Sequence, residues 1–474
     1  MTQTITIDPA TRLEGHGKIT IHLNDKGEVN AAHFHVTQVR GFEKFVEGRP
    51  FYEMPSLMAR ICGICPVSHL IASAKACEAI MSVRIPHAAT QLRRVLNLAQ
   101  MVQSHALSFF YLASPDLLLG MESDPKTRNI FGVAAAAPEM GRAGVALRRF
   151  GQSMIEVLAN KRIHPGWVVP GGVTEPLASA KRDQILAMLP EAYANVGLAL
   201  DAYKKVADQF REEIEVFANF PSNYMSLIHE DEAIEFTDGA LRLMDAGGTT
   251  IEDGMTAGRF VEAIGEAVEP YSYTKFPYYK PLGYPAGSYR VGPLARLNIV
   301  QHMGTPRADK ELAEFKQLAA GPVASSFHYH HARLIEMLYG VEKIEQILAD
   351  PKILDKHVRA TAGVNRLEGA GQAEAPRGVL HHHYKVDENG KMTWANLVIA
   401  TGQNNKAMND GVLQVASHYV KDGKFSEGIL NRVEAVVRAF DPCLSCSTHA
   451  YGQMPLSIEL LAPDGTTRDE LRRG

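Results

Sequence analysis

Two Cys-x-x-Cys pairs set the strongest constraint on how this chain can fold: Cys62/Cys65 near its start and Cys443/Cys446 near its end. Each pair brings two sulfurs within reach of one metal, and the two together can make a four-sulfur site. Soft thiolates suit zinc, iron–sulfur clusters and nickel alike, so spacing by itself leaves the metal open, including a purely structural four-cysteine zinc site. A zinc ribbon usually closes within about 15–20 residues, whereas most of this 474-residue chain lies between the two pairs. A site joining both ends is expected in the core of the whole fold. The fifth cysteine, Cys77, reads as a small buried hydrophobe.

Hydrophobic residues make up 46% of the chain and charged residues 22%, which allows a large core. A net charge of −4 provides no basic footprint and argues against a nucleic-acid partner. The opening MTQTITIDPATR is strand-like and lacks the basic-then-apolar pattern of a secretory signal. No run approaches the ~18–20 apolar residues of a membrane span. The expectation is a cytoplasmic protein, in which five cysteines do not suggest a disulfide framework.

Ile19, Ile21 and Leu23 alternate, Asn24-Asp25-Lys26-Gly27 supplies a turn, and an extended pattern resumes from Val29 to Val39. A second hairpin is expected from His383–Val386, a turn at Asn389-Gly390 and Trp394–Ala400. Between them helical spacing dominates. From Pro86 to Leu112 the residues Leu92, Val95, Leu96, Ala99, Val102, Ala106, Phe109 and Phe110 keep an i, i+3, i+4 pattern. Similar patterns cover 140–160, 178–218, 308–348 and 404–440, with Gly/Pro-rich loops at 166–172 and 277–292. The expected fold is mainly α with small β-sheets, an α+β arrangement. Residues 1–449 would form one compact unit: a β-hairpin region over 1–50, a helix-bundle body over 51–375, and a C-terminal hairpin and metal-binding segment over 376–449.

The strings RICGICPVSH at 60–69 and DPCLSCSTH at 441–449 resemble the two signature motifs of NiFe hydrogenase large subunits. TRLEGH at 11–16, RGFEKFVEGR at 40–49, HPGWVVPGGV at 164–173, APRG at 375–378 and ATGQN at 400–404 fit the same family in order. SHALSFFYLASPD and APRGVLHHHYK are most similar to its cytoplasmic, bidirectional NAD-reducing branch.

The resemblance implies reversible heterolytic cleavage of H2 to protons and electrons. Cys62 and Cys443 would bind nickel terminally, and Cys65 and Cys446 would bridge nickel to iron, whose remaining ligands are carbonyl and cyanide. Arg377, after Pro376, matches the family arginine over the metals, and Thr401 the hydroxyl that serves a second cyanide. A planar guanidinium offers fixed donors that lysine would not reproduce. Glu14 matches the glutamate that exchanges protons with a metal-bound cysteine, Cys443 or Arg377 being the first base. Asp116 and Asp441 match aspartates near the arginine, and Asp441 is equally placed to cap the helical turn carrying Cys443. His69 is expected to hydrogen-bond a bridging sulfur. Glu43, His449 and the main-chain carbonyl of Leu397 match a second, hard-metal site that commonly holds magnesium, although a histidine fits such a cation only in part. The clusters His328/His330/His331 and His381–His383 read as packing or hydrogen-bonding groups.

Electrons must leave separately, since the chain has no further cysteines in iron–sulfur spacing, no GxGxxG fingerprint and no evident flavin site. The resemblance therefore implies an iron–sulfur small subunit together with a flavin-bearing diaphorase that reduces NAD. A related cytoplasmic hydrogenase using NADP or a deazaflavin is the alternative. In the family the mature polypeptide ends at the histidine of the second motif, here His449, after a dedicated maturation protease removes the residues beyond it. Residues 450–474 would be that extension.

Overall fold

Alternation places Ile19, Ile21 and Leu23 on one face, where all three are fully buried. In the computed structural model, which describes residues 3–450, 456–462 and 466–473, they lie on the central strand of an antiparallel sheet. Its strands are Gln3–Ile7, Gly17–Leu23 and Val29–Val36, with Ile19 opposite Phe34 and Ile21 opposite Ala32. The turn at 24–28 closes on the Asn24 side chain, whose Oδ1 accepts from the amides of Lys26 and Glu28.

Helix accounts for 49% of the structure and strand for 20% with small sheets, so the helix-rich class expected from periodicity holds. The longest helices are Pro66–Met81, His87–Ala106, Pro138–Ala159, Leu189–Ala207 and Tyr329–Ala349. The apolar stripe from Leu92 to Ala106 is buried throughout. At Leu107 the helix widens into a π-helical turn, Leu107–Ala113, before continuing as Ser114–Leu119. A π turn breaks the i→i−4 ladder and frees carbonyls, and here Leu112 O accepts from Arg12 at 2.8 Å.

Sheets are not confined to the two ends. A four-stranded sheet in mid-chain comprises Asn223–Ile228, Ala240–Met244, Thr250–Met255 and Tyr289–Arg290. Leu227, Leu241 and Leu243 bury into its own smaller core with Val291, Val379 and Val398. The segment Tyr224–Ile228 is short and buried throughout, its one polar residue Ser226 included, a pattern in which periodicity does not separate strand from helix.

The late hairpin forms as Gly378–Val386 and Met392–Val398 around a turn at 387–391. A third strand, Glu368–Ala375, extends it on the other side, inside the span expected to be helical. Ala375 pairs with Gly378, which leaves Pro376 and Arg377 as a two-residue tip pointing into the protein. The main core runs from Ile5 to Cys446 and includes all four motif cysteines. Among the described residues no helix is long and apolar enough to cross a membrane.

Beyond Ala450, Leu456–Leu461 and Thr467–Arg473 pair with each other as a two-stranded hairpin. Of the stretch beginning Ala450-Tyr451-Gly452-Gln453-Met454-Pro455, positions 451–455 lie outside the described residues.

Candidate metal centre

Cys62 ends a short 3-10 turn and Cys65 precedes the helix Pro66–Met81, whose Pro66 suits a first helical turn. The turn aims the amides of Ile64 and Cys65 at Cys62 Sγ, each at 3.2 Å. Cys443 and Cys446 flank the short helix Leu444–Ser447 at the other end of the chain. Glu14 pairs with Cys443 as an isolated parallel bridge and holds this helix twice. Its carbonyl accepts from Leu444 N and its Oε2 from Ser445 N, both at 3.1 Å. Gly15 is required beside it: at φ +91° a side chain would be strained, and a Cβ would come within 2.7 Å of Leu444 Cβ.

The four sulfurs meet in the core. Cys62 and Cys443 Sγ lie 3.5 Å apart, Cys65 and Cys446 3.7 Å, and Cys443 and Cys446 2.8 Å. Among the described residues these four form the one group of three or more potential ligands whose donor atoms all lie within 4.8 Å. Hydrogen bonds from the thiols of Cys443, Cys446 and Cys62 hold Cys65 well below its ordinary value. Burial, and then the neighbouring sulfurs, push Cys443 well above it, and burial does the same for Cys446. A dry pocket thus favours a thiolate at Cys65 and opposes ionisation of Cys443 and Cys446, unless a cation shares their charge. Edges of 3.5 and 3.7 Å are close to the roughly 3.7 Å that thiolates about 2.3 Å from one shared metal would span. The donor set fits a soft metal centre.

Arg377 distinguishes this pocket from a merely structural zinc site. It is 2% exposed, donating from Nε to the Asp441 carbonyl at 2.5 Å and from Nη2 to Asp441 Oδ1 at 3.0 Å. Nη1 reaches Ser104 Oγ only at 3.5 Å. Burial opposes its charge, but Asp441 and then the sulfurs of Cys443, Cys65 and Cys62 outweigh that and hold it well above its ordinary value. Asp441 is raised, burial being the main cause. Asp441 is the left-handed C-cap of the helix Glu427–Phe440, with φ 55°, and Cys443 is the N-cap of the next turn. Its side chain therefore serves Arg377 rather than capping the cysteine helix.

Thr401 Oγ1 accepts from the Cys443 amide at 2.9 Å, which leaves the hydroxyl proton free to donate elsewhere. Pro376 adjoins Arg377 in the hairpin tip. His69 Nδ1 and His382 Nε2 are in contact at 3.2 Å, and His69 lies near enough to Cys65 to help lower its thiol. The Asp116 carboxylate takes Arg12 at 2.5 Å, Asn431 at 3.0 Å and Arg438, tying the N-terminal segment to the helix before Cys443.

Glu43 and His449 do come together. His449 Nδ1 donates to Glu43 Oε1 at 3.0 Å, and the Leu397 amide donates to the same oxygen at 2.8 Å. Burial raises the Glu43 carboxyl, but His449 and then Lys275 outweigh it and hold the group below its usual range. The amide and carbonyl of an extended residue share one strand edge, so the Leu397 carbonyl faces this side too. One carboxylate, one imidazole and one carbonyl fit a hard cation in part.

The other histidines pack or hydrogen-bond. His331 stacks on Tyr203, His328 meets Tyr203 Oη at 3.5 Å, His330 lies against Phe327, His381 stacks on Phe260, and His383 meets Glu368 at 2.6 Å. Arg40, inside RGFEKFVEGR, bridges both cysteine motifs by donating to Ile61 O and, at 3.4 Å, to Ser445 O. Its adjacency to Gly41 was the available signal. Ser104 lies within a buried helical stripe and carries no local signal.

Fold and site together define a protein that joins four cysteines from its two ends in one buried pocket fit for a soft metal. Residues 40–126 and 228–449 match the nickel-dependent hydrogenase family, and residues 4–39 match a HoxL-like family. The beta subunit of the NAD-reducing hydrogenase HoxS of Cupriavidus necator is 40% identical over 100% of both chains. An F420-non-reducing hydrogenase (vhc) chain of Methanococcus voltae is 40% identical over 96% of this chain and 97% of its own. A crystal structure of an NAD+-reducing NiFe hydrogenase in the H2-reduced state superposes with a TM-score of 0.92 at 42% identity, covering 94% of this chain and 100% of that one. The chain belongs to the nickel-dependent hydrogenase family, as the large, catalytic subunit of a NiFe hydrogenase.

Proposed function

We propose that this protein splits H2 heterolytically at the four-cysteine pocket and feeds the electrons, through an iron–sulfur small subunit together with a flavin-bearing diaphorase, to NAD. The observation that carries the reading is the buried Arg377–Asp441 pair beside the four sulfurs. A stabilising zinc site needs no such guanidinium. When bound, a nickel–iron centre with carbonyl and cyanide on iron supplies the electrophile for H2. Cys62 and Cys443 are assigned as terminal thiolates, Cys65 and Cys446 as bridging ones. Arg377 and Thr401 supply donors to the cyanides, and Pro376 and its neighbours keep water out. Cys443 takes the proton, since Arg377 is held charged by Asp441 and the sulfurs and has only donors to offer, and Glu14, attached to the Cys443 helix through Ser445, moves it outward. Asp441 holds Arg377, His69 steadies the Cys65 sulfur, and Asp116 braces the segments on either side.

Glu43, His449 and the Leu397 carbonyl are assigned to a magnesium ion. Residues 1–449 act as one unit in the cytoplasm, and a maturation protease removes 450–474. The NAD assignment rests on relatives named for that acceptor. Another relative at 40% identity is named for not reducing F420 and its name gives no acceptor; NADP and a deazaflavin are the competing acceptors for this chain. Purification with partners should give one nickel and one iron per chain, infrared bands from CO and CN, and H2-dependent reduction of NAD in preference to NADP or a deazaflavin. Zinc alone would overturn the reading; reduction of another acceptor would overturn only its last step.

A further inference from the structure

We infer that Arg296 is a positioning residue for Arg377, a buried guanidinium that fixes the two peptide units immediately before it. The inference rests on the role given above to Arg377. Arg296 lies on the helix Pro293–Ile299, is wholly buried, and uses all five of its N–H donors. Nε and Nη2 grip Glu336 as a fork, at 2.6 and 2.8 Å. Nη1 donates to Glu374 Oε2. The two remaining donors go to consecutive carbonyls, Ala375 O at 3.1 Å and Pro376 O at 3.2 Å.

Those carbonyls belong to the hairpin tip that presents Arg377, so its approach to the sulfurs is set by where Arg296 holds them. The two carboxylates of the hub are themselves held. Glu374 also accepts from Leu227 N at 2.9 Å, and Glu336 from His105 Nε2 at 2.8 Å. His105 is the neighbour of Ser104, which faces Arg377 from the other side. Gly292, directly before the Arg296 helix, packs on the Arg377 carbonyl, where a Cβ would come within 2.6 Å and φ is +93°. A buried ion cluster is a poor source of stability compared with apolar packing. One that spends two donors on the backbone beside a catalytic arginine has a positional use.

Arg296→Lys tests this, because an ammonium keeps the charge between Glu336 and Glu374 but lacks the fork that reaches both carbonyls. The variant, purified as the complete complex, should retain nickel and iron. Its cyanide infrared bands should shift in the direction seen for Arg377→Lys, and kcat should fall on the order of 10²-fold with KM for H2 unchanged, as for a misplaced reacting group. Glu374→Gln is the second variant. It keeps the side chain's shape, but an amide has one acceptor oxygen where the carboxylate uses two, so the bond from Leu227 N or the one from Arg296 Nη1 is lost. It should shift the same bands by less. Parental bands and kcat in either metal-replete variant would overturn the inference. If Arg377→Lys itself is fully active, it is the reading of Arg377 that fails. If Arg377→Lys is impaired while both other variants match the parent, only the role of Arg296 fails.

Discussion

Arg377 and Asp441 are joined at two points, Nε to the Asp441 carbonyl at 2.5 Å and Nη2 to its carboxylate at 3.0 Å. The residue two positions before a metal-binding cysteine thereby fixes the guanidinium beside the sulfurs. Both groups are buried, so removing either leaves the other's charge uncompensated. Arg377→Lys keeps the charge and loses the planar fork. Activity should fall sharply while nickel and iron stay bound, measured as H2 uptake per nickel; unchanged turnover would reduce Arg377 to a structural ion pair.

Cys65 and Cys446 Sγ lie 3.7 Å apart. If both bridge the two metals, Cys65→Ser or Cys446→Ser should abolish nickel retention and activity together. Nickel content of either purified variant decides it, and a normal value would contradict the bridging assignment.

Glu14 touches the cysteine helix through its carboxylate at Ser445 N. Glu14→Gln preserves that acceptor and removes the titrating group. Metals and infrared bands should be intact, with H/D exchange at least ~10²-fold slower, the lower range for loss of general acid–base catalysis. Exchange at the parental rate would take Glu14 off the proton path.

His105 makes folding stability depend on pH. It is fully buried, and burial lowers its pKa to about 4 despite the bond to Glu336. Since this lies below the unfolded value of about 6.5, its contribution is fully present above that pH and is lost as pH falls through about 4. His105→Gln should remove an acid-limb penalty of about 3 kcal/mol. His330, lowered to about 3, and His328, lowered to about 4, act in the same sense. Denaturation midpoints at pH 7 and pH 4.5 should diverge less in the variant than in the parent; equal divergence would refute the assignment to His105.

His449 is buried against Glu43, and the Glu43 amide also donates to the His449 carbonyl at 3.2 Å. If maturation trims the chain there, intact mass of nickel-replete, active enzyme should correspond to a terminus at His449. A full-length mass in fully active protein would defeat that proposal.

Local sequence determined the chemistry at short range. Each CxxC turn, the helix after Cys65 and the β-alternation of Ile19, Ile21 and Leu23 follow from spacing and from backbone preferences, which act over a few residues. The two motifs also announced that the chain ends must meet. Three-dimensional packing alone decided the rest. The strands Glu368–Ala375 and Asn223–Ile228 are buried on both faces over most of their length, which erases the period that would have revealed them. Asp116 is paired with Arg12 and Arg438, cations remote from it in sequence that only the fold brings to its carboxylate. Arg296, Glu336 and Glu374 carry no motif and lie far apart along the chain. Only the fold places three such charges in one water-free pocket, where burial makes each require the others.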